Sequence, residues 1–301
     1  MRIVSMLSSA TEILYELGLG DHLVGISHEC DYPPEALNLP RASRSRFDPA
    51  GMTSGEIDAA VRRSMEEHGS VYEVDVEALS RLRADLVLTQ AVCEVCAVPT
   101  GSVVAATSGM RAPPEIASLD AHTIEGIIGT VQQVALAAGH PERGRRVTES
   151  MRARLHAVRQ RVAGRERPRV LFLEWLDPPF SPGHWVPEMV EIAGGDLLMG
   201  VAGARSEQIE WEGLARLDPD VLLVEPCGYD LRQARHDAER HRERLRAIAS
   251  RATEAGRAWL LHSSYFSRSG PRVIAGVETL AALMHPEITT AAPDGCIAER
   301  W

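Results

Sequence analysis

Two runs of short apolar strands, each strand giving way to a polar loop and then a helix, flank residues 123–162, whose apolar positions keep helical spacing. No other feature of the sequence limits the fold as much. A strand, a crossover and a parallel strand in repetition predict a mostly parallel sheet with right-handed connections. In the first run the strands fall at 2–7, 23–27 and 85–89, with helices at 11–17, ended by Gly18 and Gly20, and at 76–83. In the second, strands at 169–174, 220–224 and 258–261 alternate with helices at 186–193, 211–217, 231–252 and 271–284. Between the runs, Ile127, Ile128, Val131, Val134, Leu136, Val147, Met151, Leu155 and Val158 recur at helical spacing, interrupted at Gly139-His140-Pro141, where proline imposes a kink or a break.

The expected fold class is therefore α/β, with two Rossmann-like lobes joined by a long backbone helix and a ligand cleft between the lobes. The boundaries that follow are an N-terminal lobe at 1–122, an inter-lobe helix at 123–163, a C-terminal lobe at 164–285 and a tail at 286–301 that no pattern classifies. Within the first lobe, residues 41–72 are polar, carry a helical stretch at 54–68 and read as an insertion. The run Arg41, Arg44, Arg46 reads as its solvated face.

With 301 residues and 45% hydrophobic composition the chain can bury one or two sizeable cores. Its net charge of -10 argues against nucleic acid or an anionic membrane surface as partner. Every basic residue is arginine, which excludes a Schiff-base or P-loop lysine. No apolar run approaches the roughly 20 residues that span a bilayer, so no membrane insertion is expected. The start, Met1-Arg2-Ile3-Val4-Ser5-Met6-Leu7, reads as a strand and lacks a charged segment followed by an apolar one. That predicts a cytoplasmic protein, or a periplasmic or extracellular one if a leader has been removed.

Several stretches resemble the class III periplasmic binding proteins, the helical-backbone metal-receptor group, and its corrinoid-binding members most closely. They are Ser8-Ser9-Ala10-Thr11-Glu12, Asp31-Tyr32-Pro33-Pro34-Glu35-Ala36, Asp177-Pro178-Pro179-Phe180-Ser181-Pro182-Gly183, Val190 to Gly195, and Ser263 to Pro271, in the order the family has them. The resemblance implies a substrate-binding protein of the ABC-transporter type, with a small metal complex such as cobalamin as ligand and an ABC permease as partner if the protein is exported. Thiols at Cys30, Cys93 and Cys96 depart from the corrinoid-binding pattern.

Ligands of open α/β sheets bind beyond the carboxyl ends of the strands. That rule gathers Ser8, Ser9, His28, Glu29, Cys30, Tyr32, Cys93, Glu94 and Cys96 from the first lobe. From the second it gathers Glu174, Trp175, Trp185, Glu225, Cys227, His262, Tyr265 and Phe266. Tyr32, Trp175, Trp185, Tyr265 and Phe266 suit the flat apolar face of a corrin or porphyrin, or else the packing of each lobe. Ser8, Ser9, Glu29, Glu174, Cys227 and His262 are the remaining expected ligand contacts.

Cys93-x-x-Cys96 with His28-x-Cys30 has the donor types of a tetrahedral Cys₃His zinc site, although buried free cysteines also serve as small hydrophobes. Cys296 is treated as a bystander. Motifs for a serine-hydrolase elbow, a P-loop or a dinucleotide fold are missing, and no catalytic residue is assigned. The expected function is a solute-binding-type protein holding a corrinoid or other metal complex. The alternative is a cytoplasmic metalloprotein or enzyme with a Cys/His-bound zinc or iron–sulfur centre in the same cleft.

Overall fold

The computed structural model describes residues 1–92, 95, 97–288 and 295–301. The chain divides into two compact units, one comprising residues 1–51, 59–121 and 125–150, the other residues 52–58, 122–124 and 151–301.

In chain order the first unit opens with β1 (Ile3–Ser5), α1 (Ser8–Glu16) and β2 (Leu23–Ile26). The segment expected as an insertion forms β3 (Ser43–Ser45), α2 (Ser54–His68) and β4 (Tyr72–Val74), with β3 and β4 in an antiparallel ladder that sets Ser43 opposite Val74. The first turn of α2 counts with the second unit, where Ser54 Oγ donates to Asp237 Oδ1 at 2.8 Å. After it come α3 (Val76–Leu82), β5 (Leu86–Thr89), α4 (Thr100–Thr107) and β6 (Glu115–Ser118). Asp75 caps α3 by accepting from Ala78 N, which satisfies one of the helix's free amides. The sheet runs β2-β1-β5-β6, all parallel. Ile3, Val4, Val87 and Leu88 are fully buried, as continuous apolar strands must be when both faces of a parallel sheet are covered. Val4, Met6, Leu79, Leu82, Val87, Val98 and Val103 form one contiguous cluster of this core.

Residues 123–162 make two helices, α5 (Ile124–Ala137) and α6 (Pro141–Val162), so the proline produces a break. Gly139 takes φ +78, a left-handed conformation open to glycine at little cost, and Pro141 opens α6 at the position where its missing N–H has no partner to lose. At 22 residues α6 is about 33 Å long by a rise of 1.5 Å per residue, and the chain passes from one unit to the other within it.

The second unit holds β7 (Arg169–Leu173), β8 (Trp175–Leu176), β9 (Pro179–Phe180), α7 (Val186–Ile192), β10 (Asp196–Leu197), α8 (Trp211–Leu214) and β11 (Val221–Val224). It continues through α9 (Leu231–Arg240), α10 (Arg242–Ile248), α11 (Ser250–Glu254), β12 (Ala258–Leu261), α12 (Val273–Met284) and β13 (Ala298–Arg300). Its sheet runs β10-β7-β11-β12-β13, parallel except for β13, which pairs antiparallel to β12 with Trp259 opposite Arg300. The unclassified tail therefore supplies a strand, held by side chains as well as by the ladder. Arg300 lies 5.0 Å over the Trp259 ring, and Arg235 forms an ion pair with Glu299. The single helix expected over 231–252 is three, the first started by a capping box of Asp230 and Gln233.

The topology locates the ends that matter. From β7 the chain returns at β10 on one side, and from β11 it returns at β12 on the other, so their outgoing connections diverge. The carboxyl ends of β7 and β11 are the switch point at which open α/β sheets bind ligands, and β1 and β5 hold the same place in the first sheet.

Helix α12 is seated against the chain that follows β12. A Cβ added at Gly276 would stand 2.3 Å from the Tyr265 carbonyl oxygen and 2.8 Å from Met189 Cε. Gly276→Ala is therefore expected to destabilise the protein by about 1–3 kcal/mol through overpacking, read as a lower urea midpoint at unchanged slope.

Candidate functional site

In the first unit, β1 runs directly into α1, whose first residue is Ser8, and β2 runs into residues 27–30. Ser8 Oγ donates to the Glu29 carbonyl at 2.7 Å, joining the two strand ends. Ser9 is buried beside it, while Glu29 and Tyr32 remain solvent-accessible. His28 is held by Ser43, its Nδ1 2.9 Å from Ser43 Oγ, and its ring centroid is 5.0 Å from that of Tyr72. Arg41 has a positioning task that its reading as part of a solvated face missed. Its Nη1 donates to the carbonyls of Ser27 and Cys30, each at 2.7 Å, and so fixes the loop. Nothing in the local pattern announces that contact, because both acceptors are backbone oxygens.

Cys30 does not stand open as a ligand. It is 2% exposed, its sulfur lies 3.1 Å from Thr11 Oγ1, and burial pushes its thiol up, which disfavours the thiolate a metal needs. Cys93, Glu94 and Cys96 lie outside the described residues. Among the described residues no three His, Cys, Asp or Glu side chains are grouped so as to hold a metal ion.

The second unit brings Glu174 and Glu225 together at its switch point. Leu173 is opposite Val224 in the ladder, and the glutamates follow these two residues, on neighbouring strands whose usual spacing is about 4.8 Å. Glu225 N donates to Leu173 O at 2.9 Å and Cys227 N to Glu174 O at 3.0 Å, so pairing extends past the strand ends. Gly183 N donates to Glu174 Oε1 at 3.2 Å and the Ser206 hydroxyl to Oε2, and the Ser267 hydroxyl donates to Glu225 Oε1. Burial raises the Glu174 carboxyl to about 7. Burial, followed by the charge of Glu174, raises that of Glu225 well above the ordinary carboxylate range. Trp175 sits alongside, partly buried, its ring 5.2 Å from that of Tyr229. Cys227 is exposed.

Beyond β11 and β12 the same unit has an open pocket of about 380 Å³. His262 and Tyr265 line it, with Asp230, Arg232, Arg272 and Cys296. The arginines went unrecognised because one starts a strongly charged helix and the other follows the Ser263 to Pro271 stretch. Arg272 is stacked 5.0 Å over the Tyr265 ring. Cys296, set aside as a bystander, is a wall residue here.

Two of the expected aromatic contacts are instead interior. Phe266 is 0% exposed and faces Phe172 at 6.4 Å between centroids. Trp185 is 6% exposed, with its Nε1 donating to the Phe266 carbonyl at 2.6 Å. Both rings pack the second unit, the use that apolar area favours where a helix and a sheet meet.

Two parallel-sheet units with polar and aromatic side chains collected at their strand ends define a protein built to bind solutes. Residues 3–255 match the periplasmic binding protein family, and the chain belongs to it. Over 296 residues it is 23% identical to the vitamin B12-binding protein of Vibrio cholerae serotype O1, an alignment covering 94% of this chain and 88% of the relative. The crystal structure of the periplasmic vitamin B12-binding protein of Vibrio cholerae shares the fold at TM-score 0.69, with 22% identity over 96% of this chain and 98% of that one. A periplasmic heme-binding protein of Pseudomonas aeruginosa does so at TM-score 0.74, with 20% identity over 99% and 97%. The class III assignment implied by the motifs stands. The expectation of a cytoplasmic protein finds no support, since these relatives are periplasmic.

The contrast between buried and exposed thiols can be read directly. In timed alkylation followed by mass spectrometry, Cys227 is expected to react in the native protein and Cys30 only as the protein unfolds. Equal native rates would contradict the burial of Cys30.

Proposed function

We propose that this protein is a solute-binding protein for a corrinoid, taken against the carboxyl ends of its strands and delivered to an ABC permease outside the cytoplasm. The observation that carries the reading is the pocket at the ends of β11 and β12, with Tyr265 and His262 in its wall, in a chain of this family. An aromatic ring offers a flat apolar face to a macrocycle, and a strand-end imidazole can approach its metal. Arg232 and Arg272 supply donors for the polar groups at a macrocycle's rim. Heme is the second reading, favoured by the two arginines, since its carboxylates would pair with guanidinium groups. Ser8, Ser9, Glu29 and Tyr32 in the first unit, and Glu174, Trp175 and Cys227 in the second, are the further proposed contacts. Ligand contacts of this kind act by shifting the population of conformers that the protein already samples.

Titration of purified protein with hydroxocobalamin and, separately, with hemin tests the reading by visible absorption and tryptophan fluorescence. Saturable one-to-one binding of the corrinoid is expected. Tyr265→Ala should weaken it about tenfold, ~1.4 kcal/mol. Binding of hemin alone would transfer the assignment to the second reading, and binding of neither would defeat both.

A further inference from the structure

We propose that Glu174 and Glu225 form a proton-binding site at the switch point of the second sheet, a carboxyl pair that holds one proton and carries one negative charge. The hydrogen bonds assign the positions. Of the four carboxyl oxygens, three accept a hydrogen bond: Glu174 Oε1 from Gly183 N–H, Glu174 Oε2 from the Ser206 hydroxyl, and Glu225 Oε1 from the Ser267 hydroxyl. The fourth, Glu225 Oε2, is buried with no donor against it, on a residue that is 0% exposed. An ionised oxygen sealed from water without a donor costs far more than a neutral carboxylic-acid hydroxyl left without a partner. The proton therefore belongs on Glu225 Oε2. The charge belongs on Glu174, which has a donor at each oxygen.

Two like charges at neighbouring ladder positions and at reduced dielectric disfavour ionising together, which keeps the proton on Glu225 while Glu174 is charged. The segments packed against it carry His184 beside Gly183, Arg205 and Glu207 beside Ser206, Arg268 beside Ser267, and Cys227 and Tyr229 beyond Glu225. Among the described residues the pair's hydrogen-bond donors are all neutral: one backbone amide and two serine hydroxyls. The charge that bears on Glu225 is that of Glu174. The site thus differs from a salt bridge, in which a cation would hold both acids ionised.

The direction of the pH effect follows. Both carboxyls stand above the ordinary value of 4.5 in the folded protein, Glu174 at about 7 and Glu225 well above the ordinary value. The folded protein then binds more protons than the unfolded chain from about pH 4.5 upward. The stability contributed by the pair is intact below that pH and is lost as pH rises through the folded values.

Infrared spectroscopy of the ligand-free protein in deuterated buffer at pH 8.5, above the Glu174 value of about 7, reads the proton on Glu225 and needs no bound solute, so its outcome is separate from that of the ligand titrations. A protonated carboxylic-acid carbonyl band is expected in the wild type and is lost in Glu225→Gln, whose amide mimics the neutral acid. The same variant should flatten the fall in thermal midpoint between pH 5 and pH 8. Absence of the band in the wild type, or its persistence in folded Glu225→Gln, overturns the proposal. If that variant does not fold, Ser267→Ala serves: removing the donor to Oε1 should shift the band in frequency, and an unshifted band overturns the proposal.

Discussion

The register of β7 against β11 sets Leu173 opposite Val224, and the chemistry of the second unit depends on that alignment. A slip by one residue would turn every side chain of one strand to the other face. It would take Glu174 away from Glu225 and carry apolar residues out of the core. The alignment is held by what surrounds it: Leu171, Phe172, Leu222 and Leu223 are fully buried, and Phe266 lies 6.4 Å from Phe172 between ring centroids. Burial of apolar side chains, at about 1.5–3 kcal/mol each, is thus what holds the two acids at neighbouring ladder positions. Core and site are one construction, because the residues after the last ladder position inherit their placement from it.

The architecture was legible in the sequence wherever periodicity was strong. Strands such as Val221–Val224 and Ala258–Leu261 stand out as apolar runs bounded by polar loops, and α2 falls at residues 54–68 as the pattern predicts. What escaped notice had no period to show. The pairs β8–β9 and β7–β10 involve strands of two residues, too short for alternation. Strand β13 is fixed by its partner β12 and by Arg300 on Trp259, both distant in sequence. The charged stretch at 231–252 keeps helical composition throughout, so the interruptions at His241 and Ala249 left no composition signal.

The site divides along the same line. The strand-end rule finds Ser8, Glu174, His262 and Tyr265, since they follow recognisable strands. It cannot tell which way a side chain turns at the end of a strand. Trp185 and Phe266 turn inward, whereas Arg232 and Arg272 reach a pocket that no short-range pattern foretells. Cys30 shows the same ambiguity: a thiol in a loop is equally a ligand and a small apolar filler until its burial and its contact with Thr11 are known.

Strand β13 also bears on how this protein behaves in a crowd. Without it, β12 would offer a row of unpaired amides and carbonyls, a template on which another chain can add a strand. Residues 298–300 occupy that row in antiparallel sense and present Glu299 and Arg300 at the new margin, with Glu299 engaged by Arg235. Charges at a margin discourage further addition, so the same few residues that complete the sheet also set its limit. Loss of this short strand would leave β12 open to self-association.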